Sequence, residues 1–81
     1  MKKIKRRDLT LYEFHIKPIA RSNAKTTVIE NVCGYDLSLT NFLKLYKRDN
    51  NGLLTEQIID LYKVDYVVCY KNNQFERYFR A

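Results

Sequence analysis

The sequence predicts a small single-domain α+β protein of element order β-β-α-α-β-β, an antiparallel sheet with helices on one face and a C-terminal hairpin. Three observations carry that expectation. Apolar and polar residues alternate at period 2 from Tyr12 to Lys17 and again from Asp65 to Arg80, the mark of half-buried strands. Between these segments, Leu39, Phe42, Leu43 and Tyr46 stand at i, i+3, i+4 and i+7, the spacing of one helical face. A chain of 81 residues, 46% of them hydrophobic, suffices for one core and not for two.

Residues 1–8 read as a basic N-terminal arm preceding a domain over 9–81. Lys2, Lys3, Lys5, Arg6 and Arg7 crowd together there, and only Ile4 could anchor them to a core. In the first strand Tyr12, Phe14 and Ile16 alternate with Glu13, His15 and Lys17, and Pro18, which has no N–H for a ladder, ends it or marks a sheet edge. Arg21-Ser22-Asn23 reads as a turn, after which the β-branched run KTTVIENV returns as a second strand closed by Gly34.

The first helix is expected from Ser38 to Arg48, with Ser38 as N-cap and Leu37 packing on Phe42 as a hydrophobic staple. Its polar side carries Asn41, Lys44, Lys47 and Arg48, the cations gathered where the helix dipole favours them. Asp49-Asn50-Asn51-Gly52 stops it, and Thr55 caps a second helix running to about Lys63, with Leu54, Ile58, Leu61 and Tyr62 inward. A rival reading takes Asn51-Gly52 as a type I′ turn between two strands. The helical reading is preferred because Leu43, Leu45 and Tyr46 do not share one strand face.

In the hairpin, DYVVCYK and QFERYFR flank Asn72-Asn73. Tyr66, Val68 and Tyr70 are expected in the core, with Lys71, Arg77 and Arg80 as the hairpin's candidate binding residues; the face of Arg77 is left open, because it alternates with Phe75 and Phe79.

Composition bounds function by exclusion. The two cysteines, Cys33 and Cys69, form no Cys-x-x-Cys pair, so a structural zinc is not expected, and the default is a cytoplasmic protein with reduced thiols. A disulfide between them would require neighbouring strands. No apolar run reaches membrane-spanning length. No cofactor is expected: Gly34 and Gly52 begin no phosphate-binding motif, and His15 is the only histidine. Two helices followed by a hairpin resemble, in order alone, the recognition part of a winged-helix DNA-binding domain over roughly residues 38 to 80. The second helix, EQIIDLYK, is too acidic for that role, and no family is assigned.

Fifteen Lys and Arg against nine Asp and Glu give a net charge of +6. The expectation is therefore a non-enzymatic binding protein for nucleic acid or a nucleoprotein complex, acting through Lys2, Lys3, Lys5, Arg6, Arg7, Lys44, Lys47, Arg48, Lys71, Arg77 and Arg80. An alternative is an inhibitor of a host protein, of the kind phage and plasmid genomes encode, for example an anti-CRISPR. A second alternative is a small metal-independent ribonuclease using His15, Glu76, Arg77, Tyr78 and Arg80. A homodimer through the terminal hairpin also fits.

Overall fold

The computed structural model describes residues 11–20 and 23–81. The basic arm that contains Lys2, Lys3, Lys5, Arg6 and Arg7 lies outside the described residues. Six strands form one antiparallel sheet: β1 (Tyr12–Lys17), β2 (Thr27–Leu37), β3 (Phe42–Arg48), β4 (Leu54–Asp60), β5 (Tyr66–Lys71) and β6 (Gln74–Phe79). Their order across the sheet is β4-β3-β2-β1-β5-β6, so a four-stranded meander is followed by a crossing that brings β5 back beside β1. The crossing contains a single 3₁₀ turn, Leu61–Lys63. Among the described residues there is no α-helix, and no helix is long and apolar enough to cross a membrane.

The expected α+β class is thus corrected to an all-antiparallel sheet, and with the helices goes the ordering that resembled a winged helix. The cause is local. Ser38, expected to cap a helix, caps a tight turn: its Oγ accepts from the N–H groups of Thr40 (3.3 Å) and Phe42 (3.2 Å), and Ser38 N–H donates to Phe42 O (3.0 Å). Asn41 sits there at φ 66°, a left-handed backbone that ends any helix and that Asn tolerates. Leu43 and Leu45 then point into the core, while Phe42, Lys44, Tyr46 and Arg48 lie on the other face. The helical spacing was fulfilled only because both faces of a strand carry apolar groups.

The residues from Asp49 to Leu53 connect β3 to β4, so two strands flank Asn51-Gly52 as in the rival reading, but the turn is not type I′, since of the two only Gly52 takes positive φ. Asp49 Oδ1 accepts from the N–H groups of Asn51 and Leu53, both at 2.9 Å, and Gly52 takes φ 83°. Thr55, proposed as a helix cap, instead donates from Oγ1 to Lys47 O across the ladder (3.2 Å). Asp60 is the residue that does cap: its carboxylate accepts from Tyr62 N–H at the start of the 3₁₀ turn. The Asn72-Asn73 turn is as the sequence indicates, with both residues at positive φ (51° and 70°).

The sheet curls round its own inner face. Tyr35 on β2 and Phe79 on β6 are separated by β1 and β5. In a flat sheet that separation is roughly 14 Å, at about 4.8 Å per strand. Their rings lie 5.6 Å apart, edge to face, with the Phe14 ring 5.4 Å from Tyr35 and 6.3 Å from Phe79. Bulges supply the bend, since each adds a residue to one strand and increases its twist. β2 has one extra residue against Tyr12 and Phe14, with Asn31 at φ 60°, and a second between Val32 and Gly34. β6 has another between Phe75 and Arg77.

Phe14, Val32, Leu43, Leu45, Val67 and Cys69 are fully buried inside this curl, joined by Ile29, Ile59, Leu61 and Phe79. Leu61, carried by the crossing, closes one end. The core therefore takes Val67 and Cys69 from β5, and the expectation that Tyr66, Val68 and Tyr70 are core is reversed: they lie on the outer face and stay partly exposed. Cys69 and Cys33 are free thiols on strands that are not neighbours, one buried and one exposed.

Candidate functional site

The outer face of β1, β5 and β6 collects aromatic side chains. Ladder registers fix who shares it: His15 of β1 is opposite Val68 of β5, which is opposite Tyr78 of β6, while Lys17 is opposite Tyr66, and Tyr70 is opposite Phe75. The bulge in β6 matters here, because it puts Phe75 and Tyr78, three positions apart, on one face. Both rings are far out in solvent, at 63% and 59% of their full exposure. Tyr66 and Tyr78 meet edge to face at 6.4 Å, as do Tyr70 and Phe75 at 6.5 Å. These contacts brace the rings without covering their faces.

Tyr66, Val68, Phe75, Tyr78 and Arg80 line an open groove of about 300 Å³. Arg80 stands at its rim, where one guanidinium nitrogen lies 3.5 Å from Asp65 Oδ1. That pair is exposed and worth at most about 1 kcal/mol, so it leaves most of the five guanidinium donors available to a ligand. Beside the groove, Glu13, His15, Tyr70 and Asn73 line a second concavity. His15 Nε2 is 2.6 Å from Glu13 Oε2, and the imidazole meets the Tyr70 ring at 4.8 Å. Lys17 extends the same face beyond His15.

The cations expected to act together are placed apart. Lys44 and Arg48 lie on the outer face of β3, and Lys47 belongs to the opposite face, so the shared helix face does not exist. Lys44 is 3.7 Å from Glu56, and Arg48 donates to Gly52 O at 2.9 Å. β3 is separated from β5 by β2 and β1, roughly 14 Å in strand spacings. Lys71 is at the end of β5, exposed, opposite Tyr12 and Gln74. Among the described residues, Arg80 alone of those expected joins the aromatic groove.

Arg77 faces inward, opposite Cys69, and its guanidinium lies 4.6 Å above the Phe79 ring, covering the core's open margin. Burial pushes the Cys69 thiol up to about 11, with the Glu76 charge adding and Arg77 opposing. The Tyr35 hydroxyl is likewise raised, first by burial, and is lowered in part by Arg77. Cys69 is consequently a protonated, inert thiol at neutral pH. Of the five groups considered for ribonuclease chemistry, Arg77 is on the inner face while Tyr78 and His15 are on the outer one, separated by β5. Among the described residues no group of three His, Cys, Asp or Glu could hold a metal ion.

Sequence reasoning passed over Lys17, Phe75 and the outward role of Tyr66 and Tyr70. A signal was present: tyrosines at 66, 70 and 78 favour positions where the hydroxyl reaches water, whereas Val67 and Cys69 have no such need. Comparison with protein families, with curated proteins and with solved structures finds no match.

Proposed function

We propose that the protein binds single-stranded nucleic acid without catalysis, through the outer face of β1, β5 and β6. The observation that carries this reading is the pairing of solvent-facing rings, Phe75 and Tyr78 above all, with Arg80 and Lys17 on one sheet surface of a chain whose net charge is +6. Exposed aromatics on an antiparallel sheet stack on unpaired bases, and adjacent cations neutralise the phosphates between them. A duplex keeps its bases stacked and offers such rings nothing, which separates this reading from one resting on charge alone.

The test is fluorescence anisotropy with labelled single-stranded RNA, single-stranded DNA and duplex of equal length, titrated across salt. Single strands should bind more tightly than duplex, and log K should fall with log salt by about 0.7 per neutralised phosphate. Absence of binding at low salt, or a preference for duplex, refutes the reading.

A second reading uses the same face against a host protein, since a cluster of exposed Tyr, Phe and Arg has the composition of an interface anchor. Recovery of a stoichiometric protein, with no affinity for oligonucleotide, would select it.

A further inference from the structure

We propose that the protein dimerises by antiparallel pairing of β4 with β4 of a second copy, about a two-fold axis at Gln57. Both outer strands of the sheet have an unpaired edge among the described residues, but they differ. β6 is interrupted by a bulge and carries adjacent Glu76 and Arg77, features that discourage edge pairing. β4 has neither protection: its seven residues pair with β3 without a register shift, and it contains no Pro, Lys or Arg. It also presents Leu54 and Ile58 at 54% and 57% exposure.

The backbone sets the register. Leu61 N–H donates to Asn41 O at 3.1 Å and Asp49 N–H donates to Leu53 O at 2.9 Å, so the odd-numbered residues of β4 direct their backbone groups at β3. The N–H and C=O of Leu54, Glu56 and Ile58 therefore point to the free edge, together with the N–H of Asp60. A two-fold axis at Gln57 sets Glu56 opposite Ile58 and Leu54 opposite Asp60, so the outward groups of Glu56 and Ile58 meet those of the second copy and Leu54 C=O meets Asp60 N–H. It also sets no acid directly opposite an acid. An axis at Glu56 opposes two Glu56 carboxylates, and one at Ile58 opposes Glu56 with Asp60, both unfavourable. The strand is thus self-complementary in hydrogen bonding and charge in one register, and a second copy is the occupant that matches it. The surface is distinct from the aromatic face, so dimerisation and nucleic-acid binding stand or fall separately.

Gln57 then forms a non-hydrogen-bonded pair with itself, with Cα atoms about 4.5 Å apart, within reach of a disulfide. In a Cys33→Ser background, Gln57→Cys should cross-link to a covalent dimer on mild oxidation, whereas Thr55→Cys, which faces Ile59 of the second copy, should not. Sedimentation equilibrium of the unaltered protein should give twice the 9.8 kDa chain mass. Ile58→Pro removes only an outward N–H and should weaken dimerisation at least tenfold with the circular dichroism of the sheet retained. A monomer at high concentration, a dimer unaffected by Ile58→Pro, or equal cross-linking through positions 55 and 57 overturns the proposal. If Ile58→Pro does not fold, the two cysteine variants decide.

Discussion

Replacing Tyr78 by Ala should separate binding from stability. The ring is 59% exposed on the outer face, touching Tyr66 edge to face at 6.4 Å, and its removal opens no cavity in the core. Its loss from the fold should therefore cost no more than about 1 kcal/mol, the value of one aromatic pair. Stacking of one base on an aromatic ring contributes about 1–3 kcal/mol, so a single-stranded oligonucleotide should bind roughly 5- to 150-fold more weakly. Phe75→Ala should behave alike, because its ring is 63% exposed beside Tyr70. The assay is anisotropy with a labelled single strand at fixed salt, accompanied by urea unfolding of each variant. The salt slope should stay as it is, since no phosphate contact is lost. Affinity unchanged within twofold in both variants, with folding intact, would refute base stacking on this face.

Three further outcomes follow from the same geometry. Phe79→Ala, by contrast with its neighbours, should destabilise the fold by about 3–5 kcal/mol in urea unfolding, since the ring is buried against Phe14 and Tyr35. Asn73→Gly should stabilise by several tenths of a kcal/mol, because φ 70° at that position is strain-free for glycine, and a lowered urea midpoint would contradict a left-handed backbone at Asn73. Cys69, raised from 9.0 to about 11 in the fold, keeps its proton where the unfolded thiol loses it, so stability should fall as pH rises from about 9 toward 11. That fall should be shallower in Cys69→Ala, and at pH 8 a thiol reagent should titrate exposed Cys33 in the folded protein and leave Cys69 unmodified.

The segment from Ser38 to Lys63 shows where pattern and fold part. Leu39, Phe42, Leu43 and Tyr46 satisfy a helical template, yet Asn41 at positive φ and the Ser38 turn leave Leu39 exposed in the turn and place Phe42, Leu43 and Tyr46 in a strand whose two faces both carry apolar groups. Sequence periodicity distinguishes helix from strand only when one face is polar, and here neither β3 nor β4 has such a face. Ser, Thr and Asp offer the same capping oxygens to a turn, a ladder carbonyl or a helix, so Ser38 and Thr55 were ambiguous in isolation.

By itself, the sequence determined the strands whose alternation is local, β1, β5 and β6, the presence of β2 from its β-branched run, though that strand continues through Gly34 to Leu37 rather than closing there, and the Asn72-Asn73 turn, whose left-handed residues are a matter of two side chains. It also determined the net charge and the lack of a glycine-rich phosphate loop. Only the tertiary structure decided which face of β5 is inside. Both faces of β5 offer apolar surface, the tyrosine hydroxyls only biasing Tyr66 and Tyr70 toward water, and the choice fell to the curl of the sheet, whose concave side is closed by Phe14, Phe79 and Leu61 drawn from distant parts of the chain. That inversion turned the tyrosines outward, moved Arg77 onto the core margin, and left Arg80 and Lys17 beside an aromatic surface that no local pattern specifies.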